Sequence, residues 1–187
     1  MLDMLHFTGC FVRSPSTVGA LLPSSGALAD AIARRAHGRR QVADTLIELG
    51  AGTGSITRRI DHGLFRDYVA FECNEKLAGI LQTRHPELRV HALAVPEPVS
   101  ESYVGRNCTV ISSIPFRSLP EDDRREVAAY IERLLAANRN NTLIQYSYFP
   151  AVPFVPGNTG LRWQCSGIVL ANLPPAFIWE LAHTDTG

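Results

Sequence analysis

Three glycines at alternate positions, Gly50, Gly52 and Gly54, follow a short apolar run that carries a single acid, Leu46-Ile47-Glu48-Leu49. Glycine has no Cβ, so the backbone of such a turn can approach a ligand closely. The next stretch, residues 55–60, is expected to open a helix, whose first N–H groups lack partners within the helix and would point at that ligand. Roughly twenty residues on, a second apolar run, Tyr68-Val69-Ala70-Phe71, ends in another acid, Glu72, and an acid at that spacing suits the hydroxyl pair of a ribose. Strand, glycine turn, helix, strand and acid together make a nucleotide-binding arrangement. Its candidate cofactor-binding residues are Glu48, Gly50, Gly52, Thr53, Gly54 and Glu72.

Two nucleotide readings compete with a glycine turn that binds nothing. A dinucleotide fingerprint needs Gly-x-Gly-x-x-Gly, but position 55 is Ser and the third glycine comes one residue early. Glu-x-Gly-x-Gly-x-Gly instead resembles motif I of the class I S-adenosylmethionine (SAM) methyltransferases, which implies SAM as the cofactor.

The rest of the chain must position these residues. Its 187 residues suffice for one domain with a sizeable core, and 45% hydrophobic residues are typical of a globular protein. Eighteen basic and eighteen acidic residues cancel, which disfavours nucleic acid as a partner, since affinity for a phosphate backbone normally shows as a basic balance. Cys10, Cys73, Cys108 and Cys165 are far apart and read as free thiols of a reducing cytoplasm. The six histidines are equally scattered, so no metal site is legible. No apolar run reaches the length of a membrane span, and the start of the chain does not read as a secretory signal.

Residues 2–13 read as a short helix with one narrow polar stripe, Asp3, His6, Cys10 and Arg13, and apolar side chains over most of its remaining circumference. Such a helix must bury much of itself, over the domain or at a lipid surface. Pro23-Ser24-Ser25-Gly26 opens a second helix, with Leu28, Ala31 and Ile32 on its apolar side, an Asp30–Arg34 pair and a stop at Gly38. Ser24 and Ser25 read either as caps alone or as receivers of a carboxylate such as the methionine end of SAM. Strands follow at residues 45–49 and 68–72, then an Asn74-capped helix that stops before Pro86, and strands at 88–93 and 107–114. A long helix after Pro120 has three acids near its positive end and a stripe of Val127, Ile131, Leu134 and Leu135. A strand at 143–149 precedes a hairpin of 161–171 with 177–181. The alternation predicts an α/β, Rossmann-like, three-layer sheet, mostly parallel with an antiparallel C-terminal strand. The expected organisation is a single domain over residues 1–187, with a helical lid at 1–40 on a core at 41–187.

With these pieces in order, the chain resembles the bacterial phospholipid N-methyltransferases, a family related to the ribosomal RNA adenine dimethyltransferases. The resemblance is carried by Leu22-Pro23-Ser24-Ser25, by residues 48–54, by Phe71-Glu72-Cys73-Asn74 and by Ser112-Ser113-Ile114-Pro115-Phe116. Gln145-Tyr146-Ser147-Tyr148-Phe149-Pro150 and Asn172-Leu173-Pro174-Pro175 continue it to the end. It implies a SAM-dependent N-methyltransferase acting on phosphatidylethanolamine or a related aminolipid, cytoplasmic and peripheral at the inner face of a membrane through its N-terminal helix. One departure stands out. Many relatives carry an acid after strand three that bonds the adenine amine, whereas this chain reads His91-Ala92-Leu93-Ala94. Adenine is then left to apolar walls and backbone, or to Glu97 or Glu101.

Methyl transfer from a sulfonium is an in-line displacement, so catalysis is largely positioning, and an amine nucleophile must first lose its proton. Candidates to line that pocket are Ser113 (which also borders the cofactor), Pro115, Phe116, Tyr146, Tyr148 and His6. Tyr146 and Tyr148 lie two apart on one face of a strand, where their rings can hold an ammonium by cation–π attraction or serve as ordinary strand aromatics. Arg13, Arg117 and Arg162 are the arginines expected nearest the mouth, for a lipid phosphate. The alternative readings are a SAM enzyme acting on a soluble small molecule, a ribosomal RNA adenine methyltransferase, and a non-catalytic module of the same fold. The RNA reading is weakened by Ser113 standing where those enzymes have Asn.

Overall fold

A computed structural model of the protein describes residues 26–157 and 160–184. Residue alternation along the central strands sends side chains to two helical layers. β1 (Thr45–Leu49) is buried along its whole length, as a parallel strand covered on both faces must be. It lies between β2 (Asp67–Phe71) and β4 (Cys108–Ser112), parallel to both. Outside these run β3 (Arg89–His91), parallel to β2, and β5 (Thr142–Ser147), parallel to β4. β7 (Ala176–His183) pairs antiparallel with β5, and β6 (Leu161–Val169) antiparallel with β7, giving the order β3-β2-β1-β4-β5-β7-β6. The sheet is thus mostly parallel with one reversed strand, the α/β architecture anticipated from the sequence.

One face carries Leu46, Ala70, Ile111, Ile144 and Ile178 against helix α1 (Gly26–Gly38) and helix α2 (Glu75–Arg84). The other carries Ile47, Leu49, Val69, Val110 and Leu143 against helix α4 (Glu121–Ala136). Its stripe of Val127, Ile131, Leu134 and Leu135 is buried as expected, each side chain contributing about 1.5–3 kcal/mol relative to exposure. A single turn, α3 (Pro98–Glu101), packs beneath α4 through the Tyr130 hydroxyl, which donates to Ser100 O at 2.9 Å. Asn74 caps α2 by accepting from the N–H groups of Lys76 and Leu77. α1 falls within the expected lid, yet Leu28, Ala29, Ile32 and Ala36 are in the core. The remainder of that lid to residue 25, with the 2–13 helix, lies outside the described residues.

Two local expectations are corrected. Asp30 pairs with Arg59, at 3.3 Å, and not with Arg34, because the 55–60 segment comes within reach of α1 and offers a tertiary partner. That segment is also not an α-helix. It forms a 3-10 turn at Thr57–Arg59, and a second follows it at His62–Leu64. Only six residues separate Gly54 from Asp61, whose carboxylate accepts from Gly63 N at 3.0 Å and starts the next turn. So short a piece cannot repay helix nucleation, and the β-branched Ile56, Thr57 and Ile60 disfavour it further.

Candidate functional site

The glycine turn leaves β1 at its carboxyl end and stays stitched to β2, with Gly50 N donating to Phe71 O at 2.8 Å. Gly52 and Gly54 have φ of 57° and 89°, the left-handed region that a Cβ disfavours. A Cβ on Gly54 would stand 2.8 Å from Leu81 Cδ1, whereas one on Gly52 would meet nothing within 4 Å. Gly54 is needed for packing, and Gly52 faces open space through which a ligand can reach the backbone. Glu72 sits beside that space. Its Oε2 accepts from Gly52 N at 2.7 Å and its Oε1 from Asn74 N at 2.9 Å. Oε1 also accepts from the Cys73 thiol at 3.9 Å, which holds the carboxylate in place while Oε2 keeps a second lone pair to accept from a ligand. The turn contains no α-helix, and the N–H groups of Gly50, Ala51, Gly52 and Gly54 all bond within the protein, so what the turn offers a ligand is close backbone approach beside the Glu72 carboxylate. Thr53 contributes its carbonyl to Arg84, at 3.0 Å.

Glu48 occupies a different position from the one its place in the motif suggests. It projects from β1 toward the α1 face and is 1% exposed. Its Oε2 accepts from Thr57 Oγ1 at 2.8 Å and from the Tyr68 hydroxyl. Burial pushes its pKa from 4.5 up to about 7, against the lowering effect of these two bonds. Burial, and then the neighbouring Glu48, also raise the Tyr68 hydroxyl well above its ordinary range. What Glu48 touches is the underside of the turn: it fastens Thr57, and with it the chain behind Gly54, to the sheet.

Ser113 extends the ladder by donating its N–H to Leu49 O at 2.9 Å, which brings the loop after β4 against the glycine turn. A Cβ on Gly50 would lie 3.5 Å from Ile114 Cγ1. Ser112 Oγ accepts from Ile114 N, and Gln145 Nε2 donates to Ile114 O and Tyr146 O, each at 3.1 Å. Gln145 therefore sets this loop, a role that sequence reasoning missed. Its one signal was an amide next to the Leu143-Ile144 pair of a central strand. The register that pairs Ser112 with Gln145 leaves Ser113 and Tyr146 side by side at the carboxyl edge. Tyr146 and Tyr148 do share a face, with ring centroids 5.8 Å apart in an edge arrangement. Burial raises the Tyr148 hydroxyl, with the neighbouring Tyr146 acting in the same direction.

Other expected members lie elsewhere. Phe116 is in the core, its ring 4.9 Å from that of Phe154, because the turn after Pro115 rotates it toward α4. Arg162 is at the wrong end of the sheet: its β7 partner Ala182 pairs with Thr142, at the amino end of β5. Arg117 does stand near the loops, 4.8 Å over the ring of the exposed Phe149. Glu101 is ion-paired with Arg133 of α4. His6, Ser24, Ser25 and Arg13 lie outside the described residues. One set of metal-ligating groups converges among the described residues, His62, His85 and Glu87, behind the turn.

No protein-family profile and no curated protein matches the sequence. The fold, however, is shared with solved methyltransferases. The magnesium protoporphyrin IX methyltransferase ChlM from Synechocystis PCC 6803, solved with bound SAM, superposes with a TM-score of 0.60 at 15% identity over 85% of this chain and 79% of that one. The 23S rRNA methyltransferase ErmE gives 0.54 at 17% identity over 84% and 67%. A TehB-like SAM-dependent methyltransferase from Corynebacterium glutamicum gives 0.53 at 17% over 79% and 88%. Such identities establish likeness of fold: this chain has the class I, Rossmann-like methyltransferase fold.

Proposed function

We propose that the protein is a SAM-dependent N-methyltransferase whose acceptor is the amine of a phospholipid or related aminolipid, phosphatidylethanolamine-like in its head group. The observation that carries the cofactor is the Glu72 carboxylate bonded to Gly52 N beside an open glycine turn, at the carboxyl ends of β1 and β2. That is where a Rossmann-like sheet receives a nucleotide. The residues present fit SAM: Glu72 would accept from the ribose hydroxyls, and Gly50 and Gly52 allow close backbone approach. The half-buried Leu93 and Ile114 are apolar candidates for the adenine walls, and Ser24 and Ser25 remain the proposed partners of the methionine carboxylate. SAM, when bound, supplies a methyl group on a positively charged sulfur.

The acceptor side rests on the resemblance of this chain's motif order to that of the phospholipid enzymes and on what stands beside Ser113. The Tyr146–Tyr148 pair can hold an ammonium against its ring faces. With its pKa raised, Tyr148 is a neutral phenol at neutral pH, able to accept a hydrogen bond from an amine but not to serve as a permanent base. An open groove of about 620 Å³ between α4 and the loop after β5 is lined by Arg117, Arg124, Arg125 and one acid, Glu132; Arg125 is paired with Glu121, so Arg117 and Arg124 carry the positive charge available to a lipid phosphate. His6 and the N-terminal helix are proposed to cover the site and face the lipid. The burial of Phe116 argues against RNA methylation, since it leaves that ring no free face for a flipped base.

Mass spectrometry after incubation with isotopically labelled SAM and phosphatidylethanolamine vesicles, ribosomal RNA or small amines tests the acceptor. Label on the lipid amine is expected; label on RNA or only on a soluble amine overturns the assignment. Glu72→Ala should weaken SAM binding by about 1.5–3 kcal/mol in calorimetry, the range for hydrogen bonds to a charged group. Unchanged affinity would remove the cofactor site as drawn.

A further inference from the structure

We propose that His62, His85 and Glu87 bind one divalent cation of the zinc class, which clamps the segment behind the glycine turn to the end of α2. The three residues come from separate places: His62 from a 3-10 turn, His85 from the C-terminal cap of α2, and Glu87 from the link to β3. Their spacing in sequence, 62, 85 and 87, resembles no metal motif, and folding alone assembles them. Glu87 Oε1 is 3.1 Å from His62 Nδ1 and 3.5 Å from His85 Nδ1, and one ligating atom of each residue lies within 4.8 Å of the others. Bonds of about 2.0–2.2 Å to a tetrahedral zinc place its ligand atoms roughly 3.4 Å apart, so little movement is needed to seat the ion.

Hydrogen bonding singles out these atoms. His62 Nε2 faces Thr57 O at 3.4 Å, and a carbonyl can only accept, so Nε2 carries the proton there. Its Nδ1, on the other side of the ring, faces the Glu87 carboxylate oxygen. His85 presents its Nδ1 to the same oxygen, with the two rings stacked at 5.4 Å and 24°. A single divalent ion between them would answer both nitrogens and the carboxylate together. Two imidazoles and a carboxylate, with a backbone carbonyl setting one tautomer, form a donor set suited to zinc. Water would complete the fourth position on the exposed Glu87 side.

The position gives the ion a purpose. Residues 55–64 form only 3-10 turns, yet they support the glycine turn. Thr57 is bonded to Glu48 through Oγ1 and faced by His62 at its carbonyl, and His85 Nε2 lies 3.6 Å from where a Gly54 Cβ would be. A cation holding His62 to His85 secures this segment from outside as Glu48 does from within. This inference is independent of the cofactor and acceptor assigned above.

Full-length protein stripped with a chelator and titrated with zinc chloride should bind one equivalent in calorimetry and melt several degrees higher, since a ligand that binds only the folded state raises the midpoint. Cobalt(II) in its place should give visible absorption of a nitrogen- and oxygen-ligated site. His62→Gln and Glu87→Gln should each weaken zinc about tenfold or more and abolish the rise. Glu87 is exposed, so Glu87→Gln decides the matter even where a histidine variant fails to fold. Absence of binding and of a thermal shift would show an ion-paired cluster holding protons only, and overturn the proposal. Equal binding by the wild type and Glu87→Gln would place the ion elsewhere and overturn it too.

Discussion

Replacing Glu48 by Gln isolates the ionisation of a carboxyl group buried under the glycine turn. Thr57 Oγ1 and the Tyr68 hydroxyl both donate to Oε2, so an amide oxygen can take both bonds while its NH2 occupies the place of the other oxygen. In the folded protein burial raises the pKa of this group from 4.5 to about 7, and the nearby charge of Glu72 pushes the same way. The native state therefore binds this proton more tightly than the unfolded chain does. The resulting stability is fully present below the unfolded value and is lost as pH rises through about 7. At about 1.4 kcal/mol per pH unit, the interval corresponds to about 3 kcal/mol. Urea denaturation of both proteins between pH 5 and pH 8 measures it. Wild type should lose roughly 2–3 kcal/mol more than Glu48→Gln across that range, or about 5–10 °C in melting temperature for a chain of this size. All other titrating groups are common to both proteins, so parallel pH curves would refute the reasoning.

Two further outcomes follow from named contacts, and a third from the proposed lid. Gly54→Ala meets both a positive φ and the buried Leu81 at 2.8 Å, and should cost about 2–4 kcal/mol in denaturant. Gly52→Ala meets only the φ penalty, about 1–2 kcal/mol, but should abolish SAM binding in calorimetry; equal destabilisation of the two would contradict this division. Asn141 accepts from Cys108 N and donates to Arg106 O and Leu134 O while fully buried, so Asn141→Ala should destabilise the fold by about 2–4 kcal/mol without altering SAM affinity per folded molecule. Deleting residues 1–12 should abolish methyl transfer while circular dichroism shows a folded core and some SAM binding survives; full turnover by the truncated protein would refute the lid.

Local physics made much of the fold legible in the sequence. The apolar run of β1, its alternate glycines and an acid twenty residues later predicted where the chain turns and which acid stands beside that turn. Asn74 at a helix start, the stripe of α4 and the Asn172-to-Pro175 hairpin are likewise short-range signals, and each element formed where they placed it. These features depend on backbone conformation and side-chain periodicity within a few residues, which a sequence states directly.

Other features depended on which neighbour the tertiary structure supplied. Glu48 reads as a ligand-facing acid in the motif, yet strand alternation with Tyr68 and Thr57 above it turned it into a buried support. Phe116 and Arg162 lie near site motifs in sequence, but a turn sent one into the core and an antiparallel strand carried the other to the opposite end of the sheet. Residues 55–60 carry a helical pattern too short to repay nucleation once Asp61 caps a competing turn. His62, His85 and Glu87 meet only because α2 folds back beside that turn. Each of these outcomes rests on contacts between residues distant along the chain, and local pattern carries no record of such contacts.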